Sequence, residues 1–579
     1  MAAYELVRTA AALAERLPVL RSARVIGVDL ETTGLDPHAD RVRLVQLAVP
    51  GTPVLVIDCD TALPEGLPAL REALGTRAVK VLQNAKFDLQ FLLALGIEVS
   101  PVFDTMLAGQ MLYMPGTPRR ANLQTLAEHY LGETVDKAEQ TSDFAGPLRE
   151  AQLAYAARDA EILPRLRGAM LPRLMEAGLA RVAEIEFACV RAVAAMEYAG
   201  ICLRRDAWDA LLRRTEAERD AALLALTPFT GPPMAQTSLL GGDVPLDNRL
   251  DSNPYVLGLL RRHGINVEAT SRGDLYPYRD DPLVRALSAY RKASKAVSAI
   301  LLPVREAVHP VTGRLHPHYG QISAYSGRMS CSGPNIQQIP RGADFRACIA
   351  APEGRTLVIA DYSQIELRVA AQMSGDARML DAYRRGEDLH ALTASLLTGV
   401  PMDRVTRQGR QAAKAVNFGL IYGMGAAGLA QYAQQSYGVP MTQAEAAAFR
   451  QRFFAAYRGV AAWHARLKER PPTEGRTLAG RRFPVSPHPS LPEMSNAPVQ
   501  GTGADILKRA LGLLVPRLAG TDVCIVAAVH DEILLEAPEG EGVEIAALLR
   551  ETMEEAARPI LPDVPAVADA KVSATWAEK

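Results

Sequence analysis

The stretch that most restricts what this chain can fold into is Leu357 to Asp376, LVIADYSQIELRVAAQMSGD. Leu357 to Ala360 is a short apolar, partly β-branched run and reads as a buried strand. Asp361 ends it. The residues Ile365, Leu367, Val369, Ala370 and Met373 then recur at helical spacing, with Glu366 and Arg368 between them. A carboxylate at the mouth of a strand-to-helix turn is placed to hold a divalent ion, which prefers oxygen ligands; an Asp opening a helix also serves as an N-cap. A second stretch bears on that choice. Cys524 to Val529 is another apolar strand, ended by His530, Asp531 and Glu532 and followed by the apolar run Ile533 to Leu535. Two such strands, with a cationic helix between them in sequence, can hold two metals about 3.5–4 Å apart for in-line phosphoryl transfer.

A chain of 579 residues is too long for one core and divides into several domains. No apolar run approaches the roughly 18 residues of a membrane span, and MAAYELVRTA lacks the basic and apolar regions of a signal peptide. Six scattered cysteines form no CxxC pair and read as reduced thiols of a cytoplasmic protein. The net charge of −1 does not announce nucleic-acid binding. Basic residues do cluster locally, at Arg404, Arg407, Arg410 and Lys414 and again at Arg476, Arg481 and Arg482, and carboxylates elsewhere mask such a groove in the total.

Near the N-terminus, Val25 to Val28 runs into Asp29-Leu30-Glu31. Residues two apart in a strand face the same way, and neighbouring carboxylates repel unless they share a cation. Asp88 stands at the start of an apolar-periodic helix, where N-capping alone also explains it. Tyr155 and Asp159 are four apart on one helix face. Four acids and a tyrosine on separate elements fit metal-assisted hydrolysis of a phosphodiester, with the tyrosine helping to place the water.

Between these regions, Arg407, Arg410, Lys414, Phe418 and Tyr422 are spaced 3, 4, 4 and 4 apart. At about 100° per residue they span an arc of roughly 120° on one helix, cationic at its N-terminal end and aromatic at its C-terminal end. Such a face suits phosphate contacts followed by ring packing on a sugar or base. Gly419, Gly423 and Gly425 suit a hinge there. Upstream, Glu184 to Arg214 reads as helix, turn at Gly200, helix; Thr227 to Asp251 is loose; two amphipathic helices follow, the second basic at Arg285, Arg291, Lys292 and Lys295.

DYSQIELR (Asp361 to Arg368), RQAAKAVNFGLIYG (Arg410 to Gly423) and VHDE (Val529 to Glu532) resemble, in order, the three polymerase motifs of family A, the DNA polymerase I group. Asp29, Glu31, Asp88, Tyr155 and Asp159 resemble the DEDDy class of 3′→5′ exonucleases. The resemblance implies a ribonuclease H-like α/β exonuclease domain over about residues 1–175. An α+β right-hand polymerase domain over 176–579 would follow, with a thumb near 200–310, a palm near 311–380 and 490–579, and fingers near 381–489. Many family members begin with a 5′-nuclease domain; this chain starts at the exonuclease, so primer removal is not expected of it.

Site roles follow from the same resemblance. Asp361 and Asp531 would hold two Mg²⁺ ions, with Mn²⁺ as an alternative, and Glu532 would be accessory. Arg410 and Lys414 would hold the nucleotide's phosphates, Phe418 its sugar, Tyr422 the templating base, and His390 would lie near the triphosphate. Glu366 would crowd the 2′ carbon and so reject ribonucleotides. Arg328, Asn335, Gln338, Asn496, Gln500 and His530 would face the primer–template, where minor-groove acceptors let Arg, Asn and Gln test pair geometry without reading sequence. Asn84 would contact a single-stranded 3′ end, and Asp29, Glu31, Asp88 and Asp159 would hold the exonuclease's two metals. The expected partners are primer–template DNA and dNTPs, for a monomer that works in replication or repair at the nucleoid and not on a membrane. The rivals are an enzyme that chiefly degrades 3′ ends and a non-catalytic DNA-binding module.

Overall fold

The structure is a computed structural model. It describes residues 3–114, 120–135, 137–230 and 249–577, with the backbone alone at 236–237 and 243–244. Most of the loose segment from Thr227 to Asp251 therefore lies outside the described residues. No helix among the described residues is long and apolar enough to cross a membrane.

The N-terminal unit is built on six strands: β1 (Tyr4–Val7), β2 (Val25–Thr32), β3 (Val42–Ala48), β4 (Val54–Asp58), β5 (Val79–Leu82) and β6 (Val102–Asp104). Their order is β1-β4-β3-β2-β5-β6. β2 is the pivot. It pairs antiparallel with β3 as far as Thr32, but parallel with β5 only over Val25 to Gly27. The half of β2 that carries Asp29 and Glu31 thus runs past its β5 pairing. Helix α1 (Ala85–Ala94) follows β5, and the long helix α2 (Glu150–Glu176) crosses β2. A Cβ at Gly27 would stand 2.4 Å from the Ala160 carbonyl oxygen and 2.8 Å from Pro164, so only glycine lets α2 approach this closely. That approach brings Tyr155 and Asp159 to the acids of β2.

Helix α3 (Ala180–Ala199) joins the two halves of the molecule. It packs on α1 on one side and on the long helix of the polymerase-like half on the other. It also carries two buried acids, Glu186 and Glu197. Glu197 takes a 2.7 Å ion pair from Lys86 on α1. After the turn at Gly200, helix α4 (Arg205–Thr230) pairs with α5 (Pro282–Ala296), burying Leu226, Leu283, Leu287 and Tyr290 between them. Not all of the basic residues on α5 reach solvent. Arg291 is half-buried and donates to the Thr270 carbonyl at 2.8 Å and its hydroxyl at 3.2 Å, whereas Arg285, Lys292 and Lys295 stay exposed. Only those three are free to meet a phosphate backbone.

The second sheet has four antiparallel strands, β7 (Arg355–Tyr362), β8 (Cys524–Val529), β9 (Glu532–Pro538) and β10 (Ala568–Ser573), in the order β8-β9-β7-β10. Helix α6 (Ile365–Ser374) leaves the end of β7, and α7 (Leu389–Thr398) and α8 (Arg407–Ile421) stand beyond it. Helix α9 (Leu491–Leu518) returns along α3 to the sheet.

Of the basic cluster Arg476, Arg481 and Arg482, only Arg476 is exposed. Arg481 sits at the base of a hairpin, Glu474–Arg476 paired with Arg482–Pro484, and is buried against Glu186 of α3 and Asp505 of α9. Lys508 completes this internal network at 2.6 Å from Glu186. Burial opposes Glu186's charge, but Lys508 and Arg481 outweigh it and hold its carboxyl below the usual range. Arg476 and Arg482 are both paired with Glu474, at 2.8 and 2.6 Å. The hairpin lies within the span expected for the fingers, yet it is tied to α3 and α9.

Candidate active sites

The acids of β2 face a cleft of about 840 Å³. Asp29, Glu31, Asn84, Tyr155 and Asp159 all line it, as do Lys137 and, from the second half of the chain, His318 to Ser323. Asp88 lies behind. It is 3% exposed, within the first turn of α1 and not its N-cap. It still belongs electrostatically to the group, because burial and then Asp29 push its carboxyl well above the ordinary value. Burial, then the charge of Asp159, raises Asp29 to about 8. Burial, then Asp29 and Asp159, raises Glu31 to about 9. Burial and Asp159 likewise raise the Tyr155 phenol, so it stays protonated.

Among the described residues, no three His, Cys, Asp or Glu side chains are already gathered as a metal-holding cluster. The residues nonetheless suit a hard cation. Asp159 Oδ1 is buried without a hydrogen-bond partner among the described residues, and Asp29, Glu31 and Asp159 bring to this cleft the carboxylate oxygens such an ion prefers.

The acid that organises this cleft's backbone is Asp104, which sequence reasoning passed over. Its carboxylate accepts from the Ala85 amide at 2.9 Å and the Asn84 amide at 3.2 Å, and also caps its own helix at Met106 and Leu107. Those bonds hold Asn84 in a left-handed conformation, φ 58°.

The second cleft, of about 290 Å³, is lined by Arg328, Glu366, Phe418, Gln500, His530 and Asp531 among others. Asp361 stands opposite Glu532 on β9 and Asp569 on β10. Asp531 lies in the two-residue turn joining β8 to β9, and its carbonyl accepts from the Tyr362 amide at 3.2 Å. Strand pairing therefore sets Asp361 and Asp531 side by side from 170 residues apart in sequence. Glu532 points elsewhere. It is buried, accepts 2.6 Å from Trp576 Nε1, and meets Arg346 at 3.4 Å, whose guanidinium lies 3.9 Å over the same indole.

Glu366 forms the centre of a three-residue chain, with Arg328 donating to one carboxylate oxygen at 2.6 Å and the Tyr422 hydroxyl to the other at 2.7 Å. The face expected on Arg407 to Tyr422 is exposed or half-buried on α8, while Ala413, Val416 and Leu420 turn inward. Arg410 is held 2.5 Å from Asp388. Gly419 lies inside α8, packed toward Leu429. Gly423 is the residue just past the helix that adopts φ +80°.

Other expected residues sit less centrally. His390 is buried, bonded to Asn417 at 2.9 Å, with its ring 6.0 Å from Phe418; burial lowers its pKa to about 4, so it is neutral. Asn335 uses its side chain to cap a single 3₁₀ turn at Gln337. Gln337 from that turn lines the cleft together with Arg341 and Gln364, while Gln338 is exposed and, like Asn335 and Asn496, is not among the lining residues. Sequence spacing does not resolve which member of a one-turn helix points inward.

One backbone feature ties the two clefts together. Among the described residues the only non-glycine residues with positive φ are Asn84, Gln364 and His530. Asn84 lines the first cleft; Gln364 and His530 line the second. Each costs about 1–2 kcal/mol.

Comparison with known proteins gives a consistent picture. Residues 261–578 match the family described as DNA polymerase family A, and residues 4–175 match one described as 3′-5′ exonuclease. The chain is 34% identical to DNA polymerase I of Aquifex aeolicus over 99% of both chains. It is 33% identical to DNA polymerase I of Pseudomonas aeruginosa, spanning 66% of that protein, and 34% identical to the thermostable enzyme of Thermus filiformis, spanning 59% of it. Among solved structures it resembles the POL domain of Pol1 from M. smegmatis in complex with DNA primer-template and dNTP, with a TM-score of 0.80, 27% identity and 99% of each chain covered.

Proposed function

The chain belongs to DNA polymerase family A and carries a 3′→5′ exonuclease domain, and from that premise we propose how its two clefts divide the work. The observation that carries the assignment is the meeting of Asp361 and Asp531 at one sheet end, with Asp531 and Phe418 of α8 lining the same cleft. This cleft takes the primer terminus, the template and the dNTP, the substrates with which the M. smegmatis protein was solved.

Members of this family depend on divalent metals, and the oxygen donors Asp361 and Asp531 suit Mg²⁺ or Mn²⁺. Asp361 and Asp531 would hold such ions, which when bound would supply activation of the primer 3′-OH and charge stabilisation on the transferring phosphoryl group. Arg410, released from Asp388, and Lys414 hold the triphosphate. Phe418 packs by the sugar. Glu366, braced by Arg328 and Tyr422, fills the space a 2′-hydroxyl would need, and Arg328, Gln500 and Gln337 test the newly formed pair from the minor groove. Glu532 positions the β8–β9 turn through Arg346 and Trp576.

In the first cleft Asp29, Glu31, Asp88 and Asp159 compose the metal-binding group, Tyr155 places the attacking water, and Asn84 contacts the frayed 3′ strand. We place the domain boundary in the turn between α2 and α3 and assign the enzyme to the cytoplasm as a monomer. The test is a labelled primer–template ending in a 3′ mismatch, with Mg²⁺ and all four dNTPs. Excision followed by full extension is the expected result. Shortening without extension would favour a mainly degradative enzyme, and an untouched primer a binding module.

A further inference from the structure

Lys137 reaches into the acid group of the exonuclease-like cleft. Its ammonium is 2.9 Å from Asp159 Oδ2 and 3.3 Å from the Tyr155 hydroxyl, and 5.4 Å from the centre of the Tyr155 ring. The segment that delivers it is clamped to the start of α2. Arg149 holds Glu139 through two bonds, at 2.6 and 3.2 Å. Gln152 donates to the Ser142 hydroxyl at 3.0 Å and the Asp143 carbonyl at 2.9 Å. Tyr155 and Asp159 lie further along the same helix, so one element carries both the clamp and the residues that Lys137 grips.

We propose that Lys137 is a positioning residue of the exonuclease reaction: it holds Tyr155 and Asp159 as a pair, and it does so at the expense of the cleft's affinity for divalent ions. The inference rests on the exonuclease reading of this cleft. The geometry supports both halves. With Oδ2 taken by the ammonium, Asp159 presents its buried and unpartnered Oδ1 to a metal, as a ligand through one oxygen. The ammonium also donates to the phenol oxygen, which turns the hydroxyl proton away from Lys137 and limits the ring's freedom. A fixed positive charge a few ångströms from a metal position repels the ion. Removing that charge therefore tightens metal binding while loosening the pair that performs the reaction. A residue that only supported the fold would weaken both together.

The experiment uses the full chain with D361N and D531N to silence the other site. Mn²⁺ binding is measured by electron paramagnetic resonance and compared with kcat and KM for a single-stranded oligonucleotide. Lys137→Gln is expected to bind Mn²⁺ about tenfold more tightly while kcat falls about tenfold or more with KM little changed. Lys137→Arg is expected to keep metal affinity near that of the parent. Unchanged or weaker Mn²⁺ binding in Lys137→Gln would overturn the inference. Adding D29N to the parent tests the underlying reading separately: Mn²⁺ binding that survives D29N undiminished would remove the metal site itself, whatever Lys137 does.

Discussion

The two clefts use the same chemical groups and differ in what neutralises them. Beside the four-stranded sheet, carboxylates have guanidinium partners supplied by the chain: Arg328 for Glu366, Arg346 for Glu532, Arg410 for Asp388. On β2 the carboxylates face mainly each other, and burial plus repulsion raise Asp29 to about 8 and Glu31 to about 9. The first arrangement is held by ion pairs within the chain. The second becomes fully charged only when a cation joins it. A sequence composed of Asp and Glu at matching strand ends can thus encode a preset site or one completed by its metal, according to its neighbours.

The largest predicted effects separate the clefts outright. D361N or D531N should lower primer extension by roughly a thousandfold, the several kcal/mol a metal contributes to the transition state, and leave degradation of single strands intact. D29N or D159N should do the reverse. Parallel loss of both activities in either set would break the division of labour. Next in size, W576F removes the indole donor from Glu532 without changing the ring's bulk greatly, and should slow extension about 10- to 100-fold with no effect on the exonuclease. Equal slowing of both would make Trp576 a general stabiliser.

A third prediction concerns pH and metal. In the folded protein Asp29 and Glu31 hold their protons up to about pH 8 and 9; in the unfolded chain they lose them near their ordinary values of 3.8 and 4.5. Between those limits the folded state binds more protons. Their contribution to stability is then full below about pH 4 and is lost as pH rises toward 9. In chelator, the melting temperature should fall by roughly 5 °C between pH 5 and 9, and Mg²⁺ should restore it most at the alkaline end. The double variant D29N/E31Q should flatten the profile, and an unflattened one would assign the fall to other groups. The smallest effect tests strain: Gln364→Gly should leave stability within a few tenths of a kcal/mol of Gln364→Ala or above it, since only Gly adopts φ 56° without the roughly 1 kcal/mol cost. Thermal unfolding of the pair decides this.

Much of both sites is legible in the sequence because it rests on local periodicity. The spacing of Arg410, Lys414, Phe418 and Tyr422 follows the 3.6-residue helix, and Asp29 and Glu31 follow the two-residue strand. Hydrogen bonds within one element enforce these patterns, so no distant partner is needed to read them. The N-cap alternatives for Asp88 and Asp361 give way for a similar reason: their helices begin at Ala85 and Ile365, set by Asn84 and Gln364 in left-handed turns.

What only the tertiary structure decided is which charges are spent inside the protein. Arg481 looks like part of a basic groove until Glu186, 295 residues earlier, closes over it with Asp505. Arg291 looks like a phosphate contact until Thr270 accepts its hydrogens. Lys137 carries no motif, yet it sits between Tyr155 and Asp159. Residue type and periodicity determine that a side chain is charged and which side of its element it occupies. Whether that charge meets solvent, a buried partner or a substrate depends on packing between segments hundreds of residues apart, because desolvation and Coulomb interaction depend on distance in space and not on distance along the chain.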